Sequence, residues 1–277
     1  MQKLNLEVHP PPFRLGTTSY ILPDEILPNV RYLADKVDDI ELVLFEVDEG
    51  PNNLPSQAAL EEMDHLRQDH SLTYSVHLPL DLHLGADGDE GHVSIRKARQ
   101  VIEHVQKLSP RNYVVHLDGR EVQNRSNSNN LNKWTEQACR SLEIFAERAG
   151  DIKLLAVENL EGYPPEFWDL VLDRVPASRC VDIGHLWLDH HDPLPFLEKC
   201  LPRTTVIHIH GVGERDHASL SCVAPAELDR VTRLLLEHQY AEVLTIEVFN
   251  GADFLASLAA LTDSVKRIQR EGPWVDH

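Results

Sequence analysis

The sequence predicts a parallel (β/α)8 barrel, the TIM-barrel architecture, and three observations carry that expectation. Short β-branched segments alternate with amphipathic segments along the whole chain. The 277 residues contain no Gly-, Ser- or Pro-rich linker and no internal repeat, so residues 1–277 read as a single domain. That length suits a barrel, which commonly runs to about 250 residues. One strand segment after another also ends in His, Asp or Glu. Because active sites of such barrels lie at the carboxyl ends of the strands, this third observation is also the first functional signal.

Each element has its own justification. Phe13–Thr18 (FRLGTT) reads as a strand, and Pro23–Lys36 as a helix interrupted or started late by Pro28. Ile40–Phe45 (IELVLF) is the second strand, ending at Glu46. Pro55–His70 places Leu60, Met63 and Leu66 at helical spacing, with Ser56 available as a cap. Leu72–Val76 runs into His77; the polar loop Pro79–Gly91 precedes a helix with Val93, Val101, Val105 and Leu108 on one face. Asn112–Val115 ends in His116. The loop Asp118–Asn130 is rich in Asn, Ser and Arg, too polar to pack, and long enough to serve, like Pro79–Gly91, as a lid over a bulky ligand.

Trp134–Ala149 is the next helix, and Ile152–Val157 a strand that delivers Glu158 and Asn159. Pro165–Leu172 is a short helix before the strand Arg179–Val181 and the sequence Asp182-Ile183-Gly184-His185. Leu194–Cys200 supplies a helix before the strand Thr204–His210. Ala226–His238 buries Leu228, Val231, Leu234 and Leu235; Glu242–Ile246 is the last strand, ending at Glu247. Phe254, Leu258, Leu261, Val265 and Ile268 form the stripe of a closing helix.

Composition narrows the function. With 26 Lys plus Arg against 45 Asp plus Glu, the formal charge is -19 and the basic residues are scattered. A protein that holds nucleic acid usually presents a basic stripe to phosphates, so a polynucleotide partner is not expected. No apolar run approaches the roughly 20 residues of a membrane span, and the first residues form no signal region. Cys139, Cys180, Cys200 and Cys222 show no close CxxC pairing, which points to free thiols and a cytoplasmic setting. Cys180 is assigned to packing inside the barrel.

The site is read from the strand ends. In Thr204–His210, alternation sends Ile207 and Ile209 to one face and His208 and His210 to the other. Glu158, Asp182, His208 and Glu247, from four successive strands, can close around one divalent ion. His77 and His116 can hold a second ion, with Glu158 bridging to the first. His185, with Asp216 or His217, can hold a third. Two or three ions, zinc or manganese, would suit displacement at a tetrahedral phosphate. Glu158 and Glu247 are the candidate catalytic carboxylates. Arg14 and Glu46 are candidates to position substrate, with a structural ion pair the favoured role for Arg14, and His210 is a candidate to contact substrate or to support His208.

The order His77, His116, Glu158, Asp182-x-x-His185, His208, Asp216-His217 and Glu247 resembles the xylose-isomerase-like barrels, in the branch that contains type-2 AP endonucleases. One departure stands out: that branch commonly carries Asp-x-His after the seventh strand, whereas Asp216 and His217 are adjacent here. The segments Phe13–Tyr20, Pro23–Val30 and Val37–Glu46 are similar to cobamide-remodelling phosphodiesterases. That resemblance implies a corrinoid substrate whose nucleotide-loop phosphodiester is hydrolysed to adenosylcobinamide phosphate and an α-riboside. Two other readings stand beside it. A sugar isomerase or epimerase would use a single ion on Glu158, Asp182, His208 and Glu247, with no need for His116 and His217 as ligands. A non-catalytic corrinoid-binding protein would bind without turnover.

Overall fold

A computed structural model describes residues 10–45, 52–79, 92–123, 128–213 and 216–271. Among them, eight strands, Arg14–Thr18 (β1), Asp39–Val43 (β2), Thr73–His77 (β3), Asn112–Val115 (β4), Leu155–Glu158 (β5), Ser178–Asp182 (β6), Thr204–Ile209 (β7) and Val243–Ile246 (β8), close into a barrel in sequence order. Every neighbouring pair is parallel, including β1 with β8. The barrel expected from the sequence is the one observed.

The helices are Ile26–Leu33 (α1), Gln57–His70 (α2), Val93–Val105 (α3), Ser128–Ala149 (α4), Asp169–Leu172 (α5), Ile183–Leu188 (α6), Pro193–Cys200 (α7), Pro225–Glu237 (α8) and Gly251–Glu271 (α9). Pro28 does not interrupt α1, because it lies in the first turn, where backbone N–H groups have no intrahelical partner. Ser56 caps α2 by accepting from Ala59 N, as its position implied. Val93, at the start of α3, is 47% exposed and does not share the buried face of Val101 and Val105.

Strand alternation separates two cores. Side chains such as Ile40, Leu42, Tyr74, Val76, Tyr113 and Ile207 point outward into the main core beneath the helices. Within the barrel, Val114, Ala156, Cys180 and Val206 form a small apolar cluster, the packing role expected of Cys180. The opposite arc of the interior holds Asp39, Glu41, Ser75 and Thr245, all with no exposed surface. Their strand neighbours are Gly16↔Asp39, Glu41↔Ser75 and His208↔Thr245.

Three local differences matter for the site. The helix expected from Trp134 already begins at Ser128. The loop after β4, read as too polar to pack, is packed in its described part: Trp134 Nε1 donates to Asp118 O at 3.0 Å, and Tyr163 donates to Asp118 Oδ1 at 2.7 Å. Gly119 sits where an added Cβ would come within 2.4 Å of the Phe167 ring. Aromatic donors from the following segments thus satisfy a backbone that local composition alone could not pack. Helix α6, not anticipated, starts directly at the end of β6. Residues 80–91 and 124–127, in the two proposed lids, lie outside the described residues. No described helix is long and apolar enough to cross a membrane.

Candidate metal centre

Among the described residues, the carboxyl ends of the strands carry three adjoining groups of ligand-type side chains, and a fourth, Glu158, Cys180 and His208, overlaps the second of them. In each group the ligand atoms lie within 4.8 Å of one another: His77, His116 and Glu158; Glu158, Asp182, His208 and Glu247; and His185, His210 and His217. Glu158 belongs to the first two. Its Oε2 is 2.9 Å from His116 Nε2 and 3.4 Å from His77 Nε2, while its Oε1 is 3.3 Å from His208 Nδ1. The two oxygens of one carboxylate therefore face different sets of imidazoles.

Local structure explains how these groups are held. Asp182 ends β6 and caps α6 by accepting from His185 N at 2.7 Å, so one turn of helix fixes the spacing of Asp182 and His185. Asn159 clamps the same strand end: its Nδ2 donates to Asp182 O and its Oδ1 accepts from Asp182 N, both at 2.9 Å. Gly184 is needed because a Cβ there would lie 2.2 Å from the His210 ring. The segment after β7 folds back through a bridge between Gly211 and Ala218, which returns His217 to the mouth with a positive φ of 50°. His217 then packs against His210 with the rings 4.2 Å apart and tilted by 37°. Phe45 and Phe249 border the group, edge-on to His77 and His217.

The imidazoles are oriented by their outer nitrogens. Nδ1 of His77 faces Leu78 O at 2.9 Å, Nδ1 of His185 faces Asn159 O at 3.0 Å, and Nδ1 of His210 faces Gly211 O at 3.2 Å. A ring that donates to a carbonyl through Nδ1 presents Nε2 as a lone pair, as a metal-binding imidazole must. His208 is turned the other way: Nε2 meets Glu41 Oε2 at 2.8 Å, and Nδ1 faces Glu247 Oε2 at 3.1 Å.

Electrostatics match this geometry. Burial alone would raise the carboxyls of Glu158 and Glu247, yet His208 and its neighbours hold both well below the usual carboxylate range. Burial disfavours imidazolium at His185 and His210, but the surrounding carboxylates, Asp182 foremost, raise them to about 10 and about 9. Against the same penalty, His77 is raised by Glu158 and then Glu41 and Glu247, and His208 by Cys180 and then Glu247, Glu41 and Glu158. The cluster is a buried concentration of negative charge that draws in positive charge.

The donor set fits divalent ions. Asp182 Oδ2, His208 Nδ1, His210 Nε2, His217 Nδ1 and Glu247 Oε2 are buried without a hydrogen-bond partner among the described residues, and all point into the three groups. Orphaned buried donors and acceptors are costly, and shared cations would satisfy them together.

Most sequence-predicted residues meet here: His77, His116, Glu158, Asp182, His185, His208, His217 and Glu247. His210, expected to contact substrate or support His208, instead completes the third group. Asp216, expected as a possible ligand there, stands behind it, with Oδ1 3.5 Å from His210 Nδ1 and Oδ2 3.5 Å from His217 Nε2. Arg14 is not brought to the site. It begins β1 at the opposite mouth, where it donates to Thr73 Oγ1 at 3.2 Å, Asp38 O at 2.8 Å and Ser71 O at 2.9 Å. Its role there is structural, as the favoured reading of Arg14 had it, although through these hydrogen bonds. Glu46 lies outside the described residues. Sequence reasoning missed Glu41, an inward carboxyl two residues after Asp39 on β2.

Comparison with known proteins places this arrangement among relatives. A family model described as xylose isomerase-like TIM barrel matches residues 34–271. A solved D-tagatose 3-epimerase-like protein shares 22% identity over 94% of this chain and 99% of its own, with a TM-score of 0.73. Endonuclease IV from Thermus thermophilus shares 19% over 92% of this chain and 99% of its own, with a TM-score of 0.67. The 3-keto-D-glucoside 4-epimerase of E. coli shares 15% over 93% of this chain and 99% of its own, with a TM-score of 0.64. At these identities the likeness speaks for fold alone. No curated protein matches the chain.

Proposed function

The chain belongs to the xylose isomerase-like TIM barrel family, and on that premise we propose that it is a divalent-metal-dependent phosphodiesterase. The observation that carries this reading is Glu158, whose two oxygens serve two separate ligand groups with a third group alongside. A site for several ions suits in-line displacement at phosphorus better than proton transfer beside a carbonyl. His77, His116 and Glu158 would hold one zinc or manganese ion; Glu158, Asp182, His208 and Glu247 a second; and His185, His210 and His217 a third. When bound, such ions supply Lewis-acid stabilisation of phosphoryl oxygens and lower the pKa of a water molecule.

The chain's own residues do the rest. Glu158 spans the groups and sets their separation. Glu247, 3.1 Å from His208 Nδ1 and 3.5 Å from His217 Nδ1, is placed to accept a proton at Oε2. His116 and His217 keep 18% and 24% side-chain exposure, whereas His208 and Asp182 keep none, so substrate would enter on the side of the first two.

We further propose that the substrate is a cobamide, cleaved in its nucleotide loop to adenosylcobinamide phosphate and an α-riboside, with no nucleic acid partner. The support is the resemblance of Phe13–Tyr20, Pro23–Val30 and Val37–Glu46 to cobamide-remodelling phosphodiesterases. The first and last of these supply β1 and β2, and so part of the wall beneath the site. The net charge of -19 also disfavours a polynucleotide.

The second reading, a sugar isomerase or epimerase with one ion on Glu158, Asp182, His208 and Glu247, has its own support. The sugar epimerases among the fold neighbours favour it over a phosphodiesterase. One experiment separates the two. Metal-replete protein is assayed for ions per chain, then incubated with adenosylcobalamin and separately with ketoses, with products read by mass spectrometry. Two or three ions and the two corrinoid products support hydrolysis. One ion with ketose epimerisation overturns it, and corrinoid binding without product at full occupancy points to a binding protein.

A further inference from the structure

We propose that Glu41 is a positioning residue that locks the His208 imidazole with Nδ1 facing the ion site of Glu158, Asp182 and Glu247. The inference rests on reading that group as a metal site, and not on the identity of the substrate.

His208 differs from three of the imidazoles around it. His77, His185 and His210 each turn Nδ1 to a backbone carbonyl and present Nε2 to the site. His208 presents Nδ1, so its Nε2–H points into the barrel, where strand carbonyls are already committed to the ladder. An imidazole can offer a lone pair at one nitrogen only while the other carries the proton, and that proton needs an acceptor. His208 and Glu41 both have no exposed surface, so bulk solvent does not supply that acceptor. The acceptor must therefore come from a side chain elsewhere in the barrel. Glu41, on β2, supplies it with Oε2 at 2.8 Å from Nε2.

Packing does not account for Glu41. Its second oxygen, Oε1, has no partner among the described residues, and burying an unmatched carboxyl oxygen is unfavourable. An apolar residue would fit an interior that already contains Val114, Ala156, Cys180 and Val206. A carboxylate behind the imidazole also makes His208 a stronger ligand.

The test uses full-length protein in three forms: wild type, Glu41→Gln and Glu41→Asp. In zinc-loaded wild type, nitrogen NMR of histidine-labelled protein should show His208 protonated at Nε2 and coordinated through Nδ1. The opposite arrangement overturns the proposal without any variant. In Glu41→Gln, whose amide can donate to Nε2 and so favour the wrong tautomer, zinc and manganese affinity by calorimetry should fall by about 10- to 100-fold. Glu41→Asp should recover part of that loss. Melting of the ion-free forms separates a folding defect from a binding defect. Wild-type affinity in Glu41→Gln, with His208 still protonated at Nε2, overturns the proposal. None of these readouts uses a corrinoid, so failure of the cobamide reading leaves them unchanged.

Discussion

Buried carboxyls at the two ends of the barrel respond to burial in opposite senses. At the carboxyl-terminal mouth, Glu158 and Glu247 are almost wholly buried, yet they are held well below the usual range because His208 and further imidazoles stand against them. At the start of β2, Asp39 is equally buried, and there burial wins: it pushes the carboxyl up to about 6, and the Thr73 hydroxyl, which donates to Oδ2 at 2.6 Å, offsets it only in part. The mouth holds negative charge against exchangeable positive charge, whereas the base holds a carboxyl that takes up a proton as pH falls through about 6. Depth in the barrel is the same in both cases; the partners decide. A carboxyl surrounded by imidazoles whose own lone pairs are unmatched marks a place where cations belong, and burial alone does not.

The largest way to break this contrast is at the shared carboxylate. Glu158→Ala removes a ligand from two groups at once, so bound ions should drop by at least one per chain. Phosphodiester turnover should fall by about 10³-fold or more, the scale of losing a preorganised charge-stabilising element. Circular dichroism should be unchanged. Full turnover in this variant would remove Glu158, and the several-ion mechanism with it.

The contrast sharpens at Asp39. Its folded value is about 6 against an ordinary 3.8, so the folded chain binds the proton more tightly than the unfolded chain does. Stability from this group is therefore greatest below about pH 4 and declines as pH rises through about 6. A difference of about two pKa units corresponds to about 3 kcal/mol. Asp39→Asn cannot ionise. The stability difference between wild type and Asp39→Asn, measured by urea unfolding, should shift toward the variant by about that amount between pH 4 and pH 7. A difference that stays flat across the window would mean that Asp39 is ionised in the fold.

A third test addresses the mouth without touching a ligand. Gly184→Ala would drive a methyl to within 2.2 Å of the His210 ring. The expected result is one ion fewer per chain, from the group of His185, His210 and His217, with a stability loss of about 1–3 kcal/mol. The ions on the two groups that share Glu158 should remain. Unchanged stoichiometry would detach His210 from ion binding.

What the sequence revealed about the site follows from what strand ends encode. The barrel and the meeting of eight of the nine proposed ligands at one mouth were legible because both rest on one-dimensional signals: alternating segments, and ligand-type residues at the ends of strands. The remaining one, Asp216, depended on loop geometry, since the return through Gly211 and Ala218 brings His217 rather than Asp216 beside His185. Glu41 was hidden because it sits inside a strand and meets His208 across the barrel, a contact between residues 167 positions apart. The packed loop after β4 was hidden for a similar reason, because its aromatic partners come from later segments. Substrate specificity has no such one-dimensional signal in the ligand set and enters only through the resemblance of the first two strands.

The smallest expected effect is the control at the other mouth. Arg14 begins β1 and ties β1, the residues before β2 and the residues before β3 together through Asp38 O, Ser71 O and Thr73 Oγ1. These are charge-assisted bonds in a partly exposed place, so Arg14→Ala should destabilise the fold by about 1–2 kcal/mol. Ion content and turnover should stay near wild type, because a strand's first residue and its end lie at opposite faces of the sheet cylinder. Loss of stability with intact turnover confirms that the two mouths are separable. A tenfold fall in turnover at unchanged stability would return Arg14 to the substrate and require the active face to extend through the barrel.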